Sequence, residues 1–103
     1  MLGVHVLDLI EAGFIRAPFA IEVKFKKQIF SATIETNGSV VFQGKEYESL
    51  SVAGGMARNI ASGPPPDGRK YWQTNGWKFW KFRDPTKDKL QYMDVLRQQY
   101  LKS

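Results

Sequence analysis

The chain has 103 residues, 43% of them hydrophobic, with 15 Lys/Arg, 10 Asp/Glu, one His and no Cys, for a formal net charge of +5. A chain of this length builds one core and leaves no room for a second domain. The absence of cysteine excludes a disulfide scaffold, a zinc–thiolate site and thiol nucleophiles, and the lone His5 excludes a multi-histidine metal site.

Residues 4–12 place Val4, Val6, Leu7, Leu9 and Ile10 around Asp8 and Glu11, the pattern of a short amphipathic helix that Gly13 stops in the left-handed conformation. Phe19, Ile21, Val23 and Phe25 then alternate with Ala20, Glu22, Lys24 and Lys26, a period-two strand with one apolar face. Lys27 and Gln28 turn the chain into a second strand, whose core set is Phe30, Ala32 and Ile34. Asn37-Gly38 is a strong hairpin signal, because both of its residues tolerate positive φ. Val40-Val41-Phe42 returns as the third strand of an antiparallel meander, and Gly44 marks a further turn or bulge before Lys45-Glu46-Tyr47.

Ser49 or Ser51 caps the next helix, which runs to about Ala61 with Val52, Ala53, Met56 and Ile60 at helical spacing. Gly54 and Gly55 inside it each cost about 1 kcal/mol against alanine. Either another backbone packs closely there, or the helix is short or kinked. From Ser62 through the triple proline to Asn75-Gly76 the chain reads as an exposed loop. Trp77 to Arg83 is strand-like by aromatic content, with Trp77 and Phe79 on one face and Trp80 and Phe82 on the other. Asp84-Pro85 then looks like a helix start, with Leu90, Met93, Leu96, Tyr100 and Leu101 as a narrow apolar stripe. The order α-β-β-β-α-β-α predicts a small α+β domain: a three-stranded antiparallel meander and a later aromatic strand, packed with about three helices.

No apolar run is long enough to span a bilayer, and no basic stretch followed by an apolar one opens the chain. An intracellular location is expected: cytoplasm or nucleoid in a bacterium, nucleus in a eukaryote. Catalytic chemistry is equally hard to find. His5 sits between Val4 and Val6, no glycine-rich loop ends in Lys-Ser or Lys-Thr, and the acids Glu46, Glu48, Asp84 and Asp88 are explained by capping and solvation. The expectation is a domain that is not an enzyme and needs no cofactor or metal.

The charge is unevenly placed. Residues 1–61 carry six Lys/Arg and six Asp/Glu, whereas residues 62–103 carry nine Lys/Arg against four Asp, together with eight of the fourteen aromatics. A basic, aromatic segment suits an anionic partner with flat groups to stack on, and nucleic acid is the first candidate. The plainer reading is a solvated basic surface around a tryptophan core. Ser49 and Ser51 at a helix start are candidate phosphate contacts, with helix capping as the alternative role. Lys45, Arg58, Arg69, Lys70, Lys78 and Lys81 are candidate backbone contacts, and Trp72 in the loop is the favoured exposed ring.

Several of these residues carry a family resemblance. Leu9-Ile10-Glu11-Ala12-Gly13-Phe14-Ile15, then Phe30-Ser31-Ala32-Thr33-Ile34 with Gly38, then Gly44 to Ser51 resemble successive segments of the RAMA domain. Its small-residue helix is matched by Val52 to Ala57, and its Gly-Trp segment by Asn75-Gly76-Trp77-Lys78-Phe79-Trp80. Leu50 departs from a frequent proline, and Gly54-Gly55 from frequent alanine. The resemblance implies a module attached to restriction–modification or chromatin-associated proteins that binds DNA and reads modified bases such as N6-methyladenine. It also implies that residues 1–103 are a single domain of a larger protein.

On that reading the partner is DNA, expected to be double-stranded and methylated. Tyr47, Trp72, Trp77 and Trp80 would cradle the base, and Asn75 would meet the adenine edge. The competing expectations are a protein-interaction module that docks an acidic partner, and an oligomerising domain that pairs through the stripe from Leu90 to Tyr100. No membrane partner is expected.

Overall fold

The computed structural model describes residues 3–103. The order is α1 (Val6–Glu11), β1 (Phe19–Phe25), β2 (Gln28–Ile34), β3 (Val40–Phe42), β4 (Lys45–Tyr47), α2 (Leu50–Ser62), a 3-10 turn (Gly76–Lys78), β5 (Lys81–Asp84), β6 (Lys89–Tyr92) and α3 (Asp94–Lys102). The strands form one antiparallel sheet in the order β4-β3-β2-β1-β5-β6. This is an α+β domain. No helix among the described residues is long and apolar enough to cross a membrane.

The period-two pattern of the first strands has the expected consequence. Pairing of Ile21 with Ala32 and of Val23 with Phe30 puts the four side chains on one buried face. Each large aliphatic or aromatic side chain moved from water to that core contributes about 1.5–3 kcal/mol. Val40 and Phe42 extend the same face, and residues of α1, α2 and α3 close over it in a single core. Leu9 of α1 is fully buried there, and the helix ends as its sequence suggested. Gly13 adopts φ 83°, and the amides of Gly13 and Phe14 donate back to the carbonyls of Ile10 and Leu9 at 3.1 and 2.9 Å, the paired bonds of a Schellman stop.

The turns differ in detail from their predictions. The β1–β2 turn is Lys26-Lys27, not Lys27-Gln28, and Gln28 already pairs with Phe25. At the next turn only Gly38 has positive φ, 87°. Its amide reaches the Glu35 carbonyl at 2.9 Å, so Asn37 stays in the right-handed half of a turn closed by a left-handed glycine. The meander has four strands, since Lys45–Tyr47 pairs along β3.

Two predictions downstream are corrected. The strand expected over Trp77–Arg83 begins only at Lys81. Before it, Asn75 Oδ1 accepts from the Trp77 amide at 3.2 Å, and the Lys78 and Phe79 amides donate to the Asn75 and Gly76 carbonyls at 3.1 and 3.3 Å, which winds the chain into the 3-10 turn. Asp84-Pro85 opens a hairpin turn, not a helix, and Leu90 lies on β6 opposite Arg83. Asp followed by Pro serves the first two positions of a β-turn as well as it serves a helix start. The apolar stripe therefore divides. Met93 and Leu96 enter the core, Tyr100 packs edge-on to Phe14 at 6.0 Å, Leu90 is left on the sheet's outer face, and Leu101 is exposed.

In that turn Asp84 accepts from the hydroxyl and amide of Thr86 at 2.6 and 2.9 Å. The Thr86 hydroxyl bond is the main reason that its carboxyl titrates below the ordinary 3.8. A depressed carboxyl stabilises the fold above its unfolded pKa, and that contribution is lost as pH falls through the folded value. Thr86→Val should return the Asp84 titration toward 3.8, as followed by carboxyl NMR shifts. An unchanged titration would assign the shift to another group.

Candidate nucleic-acid interface

Helix α2 carries Ser51 and Arg58 of the predicted site residues and is capped by Ser49. At its start Ser49 Oγ accepts from the Val52 amide at 3.2 Å, so Ser49 is the cap. Ser51 does something else. Its Oγ accepts from the Gly76 amide at 3.1 Å and ties the distant Gly76–Trp77 segment to the helix. The two serines and the Trp77 ring line one cleft of about 330 Å³, along with Leu7, His5 and Glu48. Arg97, ion-paired to Asp94, holds its guanidinium 5.3 Å from the Trp77 ring centre. Ser49, Ser51 and Trp77 thus share one cleft, and Glu48 adds a negative charge to it.

The basic residues gather elsewhere. Arg58 lies seven residues beyond Ser51, roughly 10 Å along the helix axis. Its guanidinium sits 5.2 Å from the Trp72 ring and 5.7 Å from the Phe25 ring, and donates to the Gln73 carbonyl at 3.1 Å and to Thr74 Oγ1 at 3.2 Å. Asn59 donates to the Lys70 carbonyl at 2.6 Å, and Trp72 Nε1 to the Gly63 carbonyl at 2.7 Å. The long loop is therefore laid against α2, not left free. Trp72 is half-buried, not the open ring expected of it. Arg69 and Lys70 remain exposed; Arg69 contacts Gln73 at 2.9 Å and Asp67 at 3.0 Å.

The remaining candidates scatter. Lys45 and Tyr47 line a groove of about 300 Å³ with Met56, Asn59 and Ile60. Lys81 pairs with Glu22 on the outer face of the sheet, its ammonium 4.7 Å from the Tyr92 ring, away from the helical layer. Lys78 and Asn75 are both exposed, but the Asn75 carboxamide oxygen is occupied by the Trp77 amide. Trp80 is wholly buried and donates to the Leu50 carbonyl at 3.0 Å, so it belongs to the core and cannot meet a base. The four-ring cradle does not form: Tyr47 and Trp77 line different cavities, and Trp80 lines no surface at all.

The structure also recruits residues that nothing in their local sequence singles out. Phe25, Lys26 and Lys27 lie at the tip of the β1–β2 hairpin, and the Phe25 ring is shared by Arg58 and by Lys26, whose Nζ is 5.9 Å from it. More than thirty residues of chain separate this hairpin from Arg58, so only the tertiary fold could reveal the contact.

The family described as Restriction Enzyme Adenine Methylase Associated, RAMA, matches residues 2–103, essentially the whole chain. The chain belongs to the RAMA family. A comparison with curated proteins found no match. As a RAMA domain it is an accessory module associated with restriction enzyme adenine methylases. The RAMA segments noted in the sequence turn out to be parts that touch. The small-residue turn of α2 at Gly54-Gly55 packs under Tyr71, Trp72 and Phe79, and Gly76 of the Gly-Trp segment packs on Leu50 and Ser51. The acids of this RAMA domain are spread out: Glu46 accepts from Ser39 and Asn37, and Asp88 lies 3.8 Å from Arg83. No group of three or more metal-ligating side chains occurs among the described residues.

Proposed function

We propose that the domain is a non-catalytic accessory unit that binds double-stranded DNA through its basic loop face and distinguishes N6-methyladenine from adenine. The observation that carries the reading is the basic loop seated on α2: Arg58 stacks on Trp72, and Arg69 and Lys70 stand exposed beside Tyr71 and Gln73, with Asp67 paired to Arg69. Arg58 is committed to the loop and acts by positioning it; Arg69 and Lys70 are exposed and meet phosphate oxygens. The base-reading part is supported by the cleft at the start of α2. A methylated base leaving the stack needs an apolar wall and a polar edge, and Trp77 and Leu7 beside Ser49 and Ser51 offer both. A volume of about 330 Å³ suits a small flat ligand.

The test is a fluorescence-anisotropy titration of one labelled duplex, with and without N6-methyladenine, near 0.15 M salt, where exposed charges are already well screened. The expected result is about tenfold tighter binding to the methylated duplex, about 1.4 kcal/mol. Affinity for both should fall with salt at a log–log slope near −0.9 per phosphate neutralised. Equal and salt-sensitive binding would remove the base-reading role and leave a DNA anchor. Absence of binding to either duplex would overturn the proposal in favour of a basic face that docks an acidic protein.

A further inference from the structure

We propose that the tip of the β1–β2 hairpin, Lys26-Lys27, is a phosphate-binding arm that works beside the basic loop; this rests on the DNA-binding reading above. The backbone supplies the first argument. Lys26 and Lys27 have φ of 50° and 67°, so both residues of this two-residue turn are left-handed. In such a turn the Cβ of an ordinary residue crowds the backbone, and Asn-Gly or Asp-Gly is the unstrained solution. At its other two-residue hairpin, Gln43-Gly44 with φ of 51° and 79°, the chain places glycine at the second position, where Lys27 stands in this turn. Strained positions persist where the side chains placed there serve a function.

Among the described residues the two lysines have no ionic partner. Neither ammonium takes part in an ion pair among the described residues, and both side chains are exposed. Two adjacent like charges at a turn repel each other, and an external anion relieves that repulsion. The fold also aims the pair. Phe25, the residue before the turn, is the ring that Lys26 and Arg58 share, at 5.9 and 5.7 Å, and Arg58 reaches on to Trp72 at 5.2 Å. The hairpin tip therefore lies beside Arg58, which in turn holds the Trp72–Thr74 part of the basic loop. A lysine on a flexible stem is a point charge that follows a phosphate backbone without reading sequence.

The decisive variant is K26N/K27G, which removes two charges and installs the turn residues that the backbone prefers. Its melting temperature should rise while its DNA binding falls. For an unmodified duplex the salt slope should become shallower by about 1.8, and affinity at 0.15 M should drop on the order of 30-fold, as the counterion term for two contacts requires. The charge-only variant K26Q/K27Q, which keeps the strained turn, should lose binding to the same extent. A control, K87N/K89Q, removes two charges from the β5–β6 hairpin and should leave the slope unchanged. If K26N/K27G binds with the parental affinity and slope, the arm is refuted while the DNA reading stands. If the control loses as much as the hairpin variant, net charge alone is responsible and the arm is again refuted. A parent chain that binds no duplex overturns the DNA reading and the arm with it.

Discussion

Trp80→Ala should remove about 3–5 kcal/mol of stability, the range for truncating a buried aromatic. Domains of this size have about 5–15 kcal/mol in total, so the variant should be largely unfolded well below the denaturant midpoint of the parent. The ring is wholly buried and makes edge contacts with Phe42 of β3 at 5.8 Å and with Phe79 at 5.4 Å. Its indole N–H donates to the Leu50 carbonyl at the start of α2. One side chain thus joins the sheet, the helix and the 3-10 turn. Trp80→Phe keeps most of the apolar contact, and the Leu50 carbonyl sits in the first helical turn, where an amide four residues on also serves it. That variant should lose about 1–2 kcal/mol. Urea unfolding followed by far-ultraviolet circular dichroism measures both. A loss under about 1 kcal/mol for Trp80→Ala would place the ring outside the core.

What the sequence made legible was local. The alternation through β1 and β2 and the Gly13 stop each depend on residues within one or two turns of each other, and each is found where its pattern put it, while the cap, open between Ser49 and Ser51 in the sequence, is Ser49. The failures share a cause as well. Asp84-Pro85 satisfies two local geometries, and the choice is made by pairing: Arg83 opposite Leu90 and Lys81 opposite Tyr92 draw the chain back along β5. Trp80 and Lys81 are neighbours in sequence with opposite fates, because the 3-10 turn ends before them and drops the indole into the core while the lysine starts a strand on the outer face.

The candidate site follows the same division. Ser49 and Ser51 were legible as the start of a helix, and close backbone approach was legible at Gly54-Gly55. Phe25, Lys26 and Lys27 were not, since their contact with Arg58 depends on how a hairpin leans across a helix. Nor could full burial of Trp80 be separated from the half-burial of Trp72 and Trp77 when all three lie in one aromatic stretch. The fold gives the three rings three different settings: one buried, one pinned by its N–H to Gly63, and one lining a cleft.

Glycine substitutions should separate the loop's seat on α2 from the helix itself. A Cβ at Gly76 would fall on the Leu50 carbonyl carbon and the Ser51 nitrogen, both backbone atoms of the helix start. A Cβ at Gly55 would fall on the Trp72 carbonyl oxygen and 2.7 Å from Tyr71 Cδ1. Neither backbone can yield without parting the two segments, so Gly76→Ala and Gly55→Ala should each cost about 3 kcal/mol, the upper end of overpacking. Gly54→Ala is the contrast. Its new methyl would meet only side-chain atoms, Phe79 Cδ2 at 3.1 Å and Thr74 Cγ2 at 3.2 Å among them. Alanine returns about 1 kcal/mol of helix propensity at that position, and small shifts of the neighbouring side chains offset it, so the net change should be near zero. Because Gly55 lies under Trp72, Gly55→Ala should also lift the loop off Arg58 and weaken binding to duplex DNA at temperatures where the variant is still folded. Equal stabilities for the Gly54 and Gly55 variants, measured by urea unfolding, would show that the loop does not rest on the helix, and the basic face would lose its structural foundation.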